Sequence, residues 1–175
     1  MVKEIPTQWP GEYTTQSDLC TLYGEILRQK PRNLINVTKE PKISTQRIRL
    51  YLTPVGFPVR VDGIAVLRRT IRDILKGLTF LHELGYVHRD LRWANVIQEG
   101  DGNVRLIDLE RVGKEGTRTP ENGVYTKSGD IEMLYHMMII YDSMIQEDEE
   151  AVAFIEGLGE SNSAEEVLLH PWLSK

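Results

Sequence analysis

Three oxygen-bearing side chains fall at intervals that suit transfer of a phosphoryl group. Asp90 and Asn95 stand in the stretch His88-Arg89-Asp90-Leu91-Arg92-Trp93-Ala94-Asn95, and Asp108 follows further along. One carboxylate can orient an attacking hydroxyl, while an amide oxygen and a second carboxylate hold Mg²⁺ against phosphates. Such a reaction asks the protein for placement and charge more than for covalent chemistry, so a few well-set oxygens carry much of it. A His-Arg-Asp match alone has little weight. Here Asn95, Asp108 and the elements around them coincide with it.

Those elements can be read from periodicity. Residues 64–84 form the strongest helix, with Ile64, Leu67, Ile71, Ile74, Leu75, Leu78 and Leu81 on one stripe. Asp62 is its expected N-cap and Gly85 its C-terminal stop. The loop with Asp90 follows directly. Short strands are expected at Val87, at Val96 and Ile97, and over residues 104–107, the last two joined by the turn Glu99-Gly100-Asp101-Gly102-Asn103. That hairpin ends at Asp108 and returns it toward the loop. Upstream, residues 18–30 read as a helix stopped by Pro31, and residues 34–37 and 48–52 as strands around Glu40-Pro41-Lys42. Thr53-Pro54-Val55-Gly56-Phe57-Pro58 is a connector. Helices are expected over residues 130–145, 149–156 and 164–170. Strands first and helices later make an α+β pattern.

The 175 residues suit one domain or a small two-part unit, and 41% hydrophobic content supports a core. No run of 18 apolar residues predicts a membrane span, and the first residues lack a secretory apolar stretch. Cys20 is the single cysteine, which suits a reducing, intracellular, cytoplasmic setting. Residues 1–90 hold 14 Lys and Arg against 9 Asp and Glu, whereas residues 91–175 hold 7 against 17. The acidic half argues against nucleic acid as a partner, and no membrane partner is expected. The clusters Arg47/Arg49 and Arg68/Arg69/Arg72 read as solvated faces.

On these residues the chain resembles the protein-kinase superfamily over nearly its whole length. Residues 88–95 look like the catalytic loop, and Asp108-Leu109-Glu110 stands where the family has Asp-Phe-Gly. Thr119-Pro120-Glu121 resembles the motif closing the activation segment. Ser128-Gly129-Asp130-Ile131 resembles the start of the helix that anchors the catalytic loop. His170-Pro171-Trp172-Leu173 is similar to the end of many Ser/Thr kinases. Within the superfamily, Leu52-Thr53-Pro54-Val55-Gly56 and residues 107–110 resemble the fungal-type kinase-like group. The resemblance implies a protein-kinase-like α+β fold: a partial small-lobe β-sheet over residues 1–55 and a helical C-lobe over residues 56–175. It implies Asp90 as catalytic base, Arg92 beside the transferred phosphate, Asn95 and Asp108 as Mg²⁺ ligands, and ATP as cofactor. A protein Ser/Thr hydroxyl would be the acceptor. Arg89 would meet a phosphorylated activation-loop residue, and His88 is expected to be a packing residue.

The departures are as specific. No Gly-x-Gly-x-x-Gly precedes the connector. Lys3 is the candidate for the lysine that meets the nucleotide phosphates, which would set Met1-Val2-Lys3-Glu4-Ile5 in the third strand of a truncated small lobe. Its expected helix partner is Glu25, which sits about one turn too far along. Glu110 replaces a glycine and resembles the acidic residue of aminoglycoside and choline kinases, where it could assist a metal or pair with Arg111 or another base. The segments 108–121 and 130–170 are short, and no Arg near Ser161-Asn162 stands ready for the Pro-Glu carboxylate. Two further functions therefore stand beside protein phosphorylation: a catalytically weak pseudokinase that binds a partner, and a small-molecule phosphotransferase.

Overall fold

The computed structural model describes residues 1–6, 15–118 and 123–175; Thr119-Pro120-Glu121 lies outside them. Strand β1 (Val2–Pro6) leads to helix α1 (Gln16–Gln29), then β2 (Asn36–Val37), β3 (Lys42–Ile43) and β4 (Arg47–Thr53). After β5 (Phe57–Pro58) comes the long helix α2 (Ile64–Glu83). Strands β6 (Tyr86–Val87), β7 (Val96–Gln98), β8 (Val104–Leu106) and β9 (Gly113–Lys114) surround the loops that follow. Helices α3 (Lys127–Met138), α4 (Asp142–Ile145), α5 (Glu149–Gly157) and α6 (Ala164–Leu168) complete the chain.

β4 is the centre of the first sheet. β1 pairs along one edge with Lys3 opposite Leu50 and Glu4 opposite Arg49, while β2 and β3 pair with β4 in antiparallel register. Alternation sends Ile48, Leu50 and Leu52 inward and buries them. Glu4 faces out and takes Arg47 and Arg49 as ion partners. The same alternation puts Lys3 on the inner face with Ile5. β7 and β8 form the expected hairpin, and a parallel bridge from Leu34 to Leu106 ties it to the first sheet.

α1 begins two residues earlier than its apolar pattern suggested, because the Thr15 hydroxyl accepts the Asp18 N–H at 3.1 Å. α2 has Gly63, not Asp62, at its N-cap, and no side chain caps it. Gly85 does stop it, at φ 75°. The helix expected over residues 130–145 is broken: α3 ends at Met138, a 3₁₀ turn spans Ile139–Tyr141, and α4 follows. The last helix stops at Leu168, ahead of a 3₁₀ turn over Pro171–Ser174.

The Arg68/Arg72 cluster is structural. Arg68 pairs with Asp148 at 3.0 Å, and Arg72 donates to the Leu173 carbonyl at 3.2 Å. Asp148 also caps α5 through two backbone N–H groups at 3.1 Å. Trp172 is fully buried, tilted against Phe154 with ring centroids 4.7 Å apart. α2 lies at the centre, and Gly77 lets it approach the chain beside β2. A Cβ there would stand 2.7 Å from the Asn33 carbonyl oxygen and 3.2 Å from Leu106. Gly77→Ala gains about 1 kcal/mol of helix propensity but costs ~1–3 kcal/mol in overpacking. The expected net result is a Tm lower by about 3–6 °C, read by thermal unfolding; an unchanged or higher Tm would show that this backbone yields freely.

Candidate active site

The loop 88–95 is shaped by one buried carboxylate. Asp130, in the first turn of α3, accepts the His88 N–H at 2.7 Å and the Arg89 N–H at 2.9 Å. Its Oδ2 also meets His82 Nε2 of α2 at 3.0 Å. Arg89 sits at φ 67°, a left-handed conformation that a non-glycine residue adopts only when its surroundings impose it. The Arg89 guanidinium stacks 3.6 Å from the centre of the Tyr125 ring and crowds Gly113. It thus has packing partners in the place where the resemblance implied a phosphate.

His88 is fully buried, and burial lowers its imidazole below the ordinary range, so it stays neutral. Its Nδ1 accepts the Asp90 N–H at 3.3 Å. The structure therefore uses His88 to pack and to steer Asp90. The Asp90 side chain is 16% exposed and pairs with Arg92 at 3.2 Å. Asn95 is buried, and its Nδ2 donates to the Asp90 carbonyl at 2.8 Å and to Asp90 Oδ2 at 3.0 Å. Its Oδ1 takes no part in these bonds and remains as a metal-type donor. The Ile107 N–H donates to the Asn95 carbonyl at 2.9 Å, which sets Asp108 beside Asn95.

Asp108 is left-handed at φ 63°. Lys3 reaches across from β1 to pair with Asp108 Oδ1 at 2.8 Å and with Glu110. Burial works against the Lys3 ammonium, but the hydrogen bonds and charges of Asp108 and Glu110 outweigh it and raise its pKa above the ordinary value. Glu25 is not the partner of Lys3. It bonds Arg28 and Gln29 on the outer side of α1. The residue that α1 does turn toward this corner is Tyr23, which is buried; burial and then the carboxylates of Glu110 and Asp108 push its phenol upward. Tyr23 completes the stripe Leu19, Leu22, Tyr23, Ile26, so its position was available from helical spacing. The sequence pointed to Glu25 as the partner of Lys3 and left Glu110 to a metal, Arg111 or another base; the fold pairs Glu110 with Lys3.

The donor set suits a magnesium nucleotide. Among the described residues no cluster of three His, Cys, Asp or Glu side chains could cage a metal unaided. Mg²⁺ commonly takes one or two protein oxygens and completes its shell with phosphates and water, and Asn95 with Asp108 offers that. Lys3 sets an ammonium beside Asp108.

No family model matches the chain. Local likenesses to known proteins include kinases and an effector. The chain is 45% identical over 49 residues to the probable serine/threonine-protein kinase mkcB of Dictyostelium discoideum, covering 28% of this chain and 7% of that protein. It is 32% identical over 113 residues to the MAP3K epsilon protein kinase 1 of Arabidopsis thaliana, covering 56% of this chain and 8% of that one. It is 34% identical over 59 residues to the Crinkler effector protein 8 of Phytophthora infestans, covering 34% and 10%. The chain thus spans a tenth or less of these relatives. Among solved structures it superposes on a divergent kinase lacking the glycine-rich loop, which regulates membrane ultrastructure of the Toxoplasma parasitophorous vacuole. The TM-score is 0.67 at 16% identity, over 98% of this chain and 67% of that one. Among the described residues no helix is long and apolar enough to cross a membrane. The α+β architecture and this superposition give the chain a protein-kinase-like fold.

Proposed function

We propose that this chain supports magnesium–ATP-dependent phosphoryl transfer to a protein Ser/Thr hydroxyl. The observation that carries the reading is the joined pair Asp90–Asn95, with Arg92 on the same carboxylate and Asp108 next to Ile107, whose N–H donates to the Asn95 carbonyl. Magnesium ATP supplies the transferable phosphoryl group and leaves as ADP. Asp90 orients the acceptor hydroxyl and takes its proton as the oxygen bonds to phosphorus. Arg92, 59% exposed at its side chain, balances Asp90 and faces the arriving phosphoryl charge. Asn95 and Asp108 would hold the metal. Lys3 meets the phosphates, and Glu110 takes the anchoring role that Glu25 does not fill. The pseudokinase reading draws on a different observation: Lys3 already pairs with Asp108, the carboxylate that would hold the metal.

Nucleotide binding comes first. Millimolar Mg²⁺–ATP should raise the Tm, since saturation at 100 times Kd adds about 2.7 kcal/mol. No shift would remove ATP from the reading. Glu110→Gln should cut the apparent ATP affinity roughly tenfold by loosening Lys3, whereas Glu25→Gln should leave it unchanged; the opposite pattern would return the anchor to α1.

Catalysis is a separate outcome. Asp90→Asn should lower phosphorylation of a generic protein acceptor by about 10²–10⁴-fold while keeping the ATP-induced Tm shift. Activity that survives the change excludes Asp90 as the base. A Tm shift with no transfer by the wild type favours the pseudokinase.

A further inference from the structure

α3 turns an apolar stripe inward and sets one large apolar side chain, Tyr135, among the polar residues of its outer side. Ile131, Leu134, Met137 and Met138 are buried within the fold. Tyr135 and, just past the helix, Ile139 are each 40% exposed on the outside. That side borders a groove of about 860 Å³ running between α3, α4 and α5. Its apolar surface includes Tyr135, Ile139, Val152 and Ile155, and its acidic surface comes from Glu132, Asp142 and Glu156. Neither Lys nor Arg lines it among the described residues. The three carboxylates are exposed and have no Lys or Arg partner among the described residues. None of the candidate site residues borders the groove.

We propose that this groove docks a basic amphipathic segment of a protein partner. Apolar side chains of the segment would cover Tyr135, Ile139 and Ile155. Lys or Arg side chains would run their stems over the apolar edge and set their charges on Glu132, Asp142 and Glu156. Charge selects this occupant. The rim carries three carboxylates and, among the described residues, no Lys or Arg, which complements a basic segment, and nucleic acid is repelled by the same charge. The docking depends on the outer side of α3 and not on phosphoryl transfer, so it stands apart from the catalytic reading.

The test is selection from a displayed random library of peptides on the wild-type chain. Counter-selection uses Ile139→Asp and the pair Glu132→Lys/Glu156→Lys, with Tm confirming that each variant is folded. Enriched peptides should carry net positive charge with apolar residues spaced by three or four. By fluorescence anisotropy they should bind each variant at least tenfold more weakly, and bind the wild type more weakly as salt rises from about 0.05 to 0.5 M. Enrichment of neutral or acidic peptides, binding that survives both variants, or no enrichment over the variants would overturn the proposal. So would concentration-dependent self-association abolished by Ile139→Asp, which assigns the groove to a second copy.

Discussion

The buried carboxylate of Asp130 fixes the loop over residues 88–95, and the loop fixes the candidate site. At 2% exposure a carboxylate is tolerable only if its oxygens are satisfied. Asp130 takes two backbone N–H groups from the loop and one imidazole nitrogen from α2. The bonds to a charged acceptor are the strong kind, and they hold Arg89 in its left-handed conformation. The His82 Nδ1 accepts the Ala164 N–H at 3.5 Å, which leaves Nε2 to donate to Asp130 and ties α6 into the same arrangement. From His88 the order passes through Nδ1 to the Asp90 N–H. The placement of Asp90 is thus set by a chain of contacts that starts two helices away.

Much of this was legible in the residues. The stripe of α2, the hairpin β7–β8 and the stop at Gly85 follow from local periodicity and turn chemistry. The link between Asp130 and the loop followed from the resemblance to kinases. What local pattern missed depends on side-chain competition and tertiary contact. Thr15 outcompetes the interior of the sequence as the cap of α1, and Gly63 displaces Asp62 at α2. The apolar run 130–145 reads as one helix, yet the chain breaks at Ile139 and starts again at Asp142. The partner of Lys3 was the least legible feature, because a strand alternation, a helix phase and a loop must all be known before one carboxylate is favoured over another.

That partner changes the electrostatics of the corner. Asp108 and Glu110 are two positions apart on a tight 3₁₀ turn over Leu109–Arg111, and two carboxylates so close repel unless a cation sits between them. Lys3 is that cation. Where the resemblance implied a flexible glycine, the chain has a charge that the β1 lysine must balance, so the strand and the turn are bound to each other. The helix that the resemblance would have made the anchor is released from the task. α1 contributes packing and the buried Tyr23 instead, and its glutamate is left to pair along its own outer surface with Arg28.

α3 then has two duties on opposite sides. Inward, Asp130 and the Met137 carbonyl, which accepts the Trp93 indole N–H at 2.8 Å, hold both ends of the loop segment. Outward, Tyr135 and Ile139 border the acidic groove. A helix is about 10 Å across, so a ligand on the outer side lies one helix width from the backbone that sets Asp90. Close-packed side chains transmit displacement poorly by bending and well by shifting as units. A segment seated in the groove would therefore bear on the loop only by moving α3 as a body, and the three bonds to Asp130 resist that movement. The same bonds that order the loop insulate it, which fits a surface used for recruitment more than one used for switching.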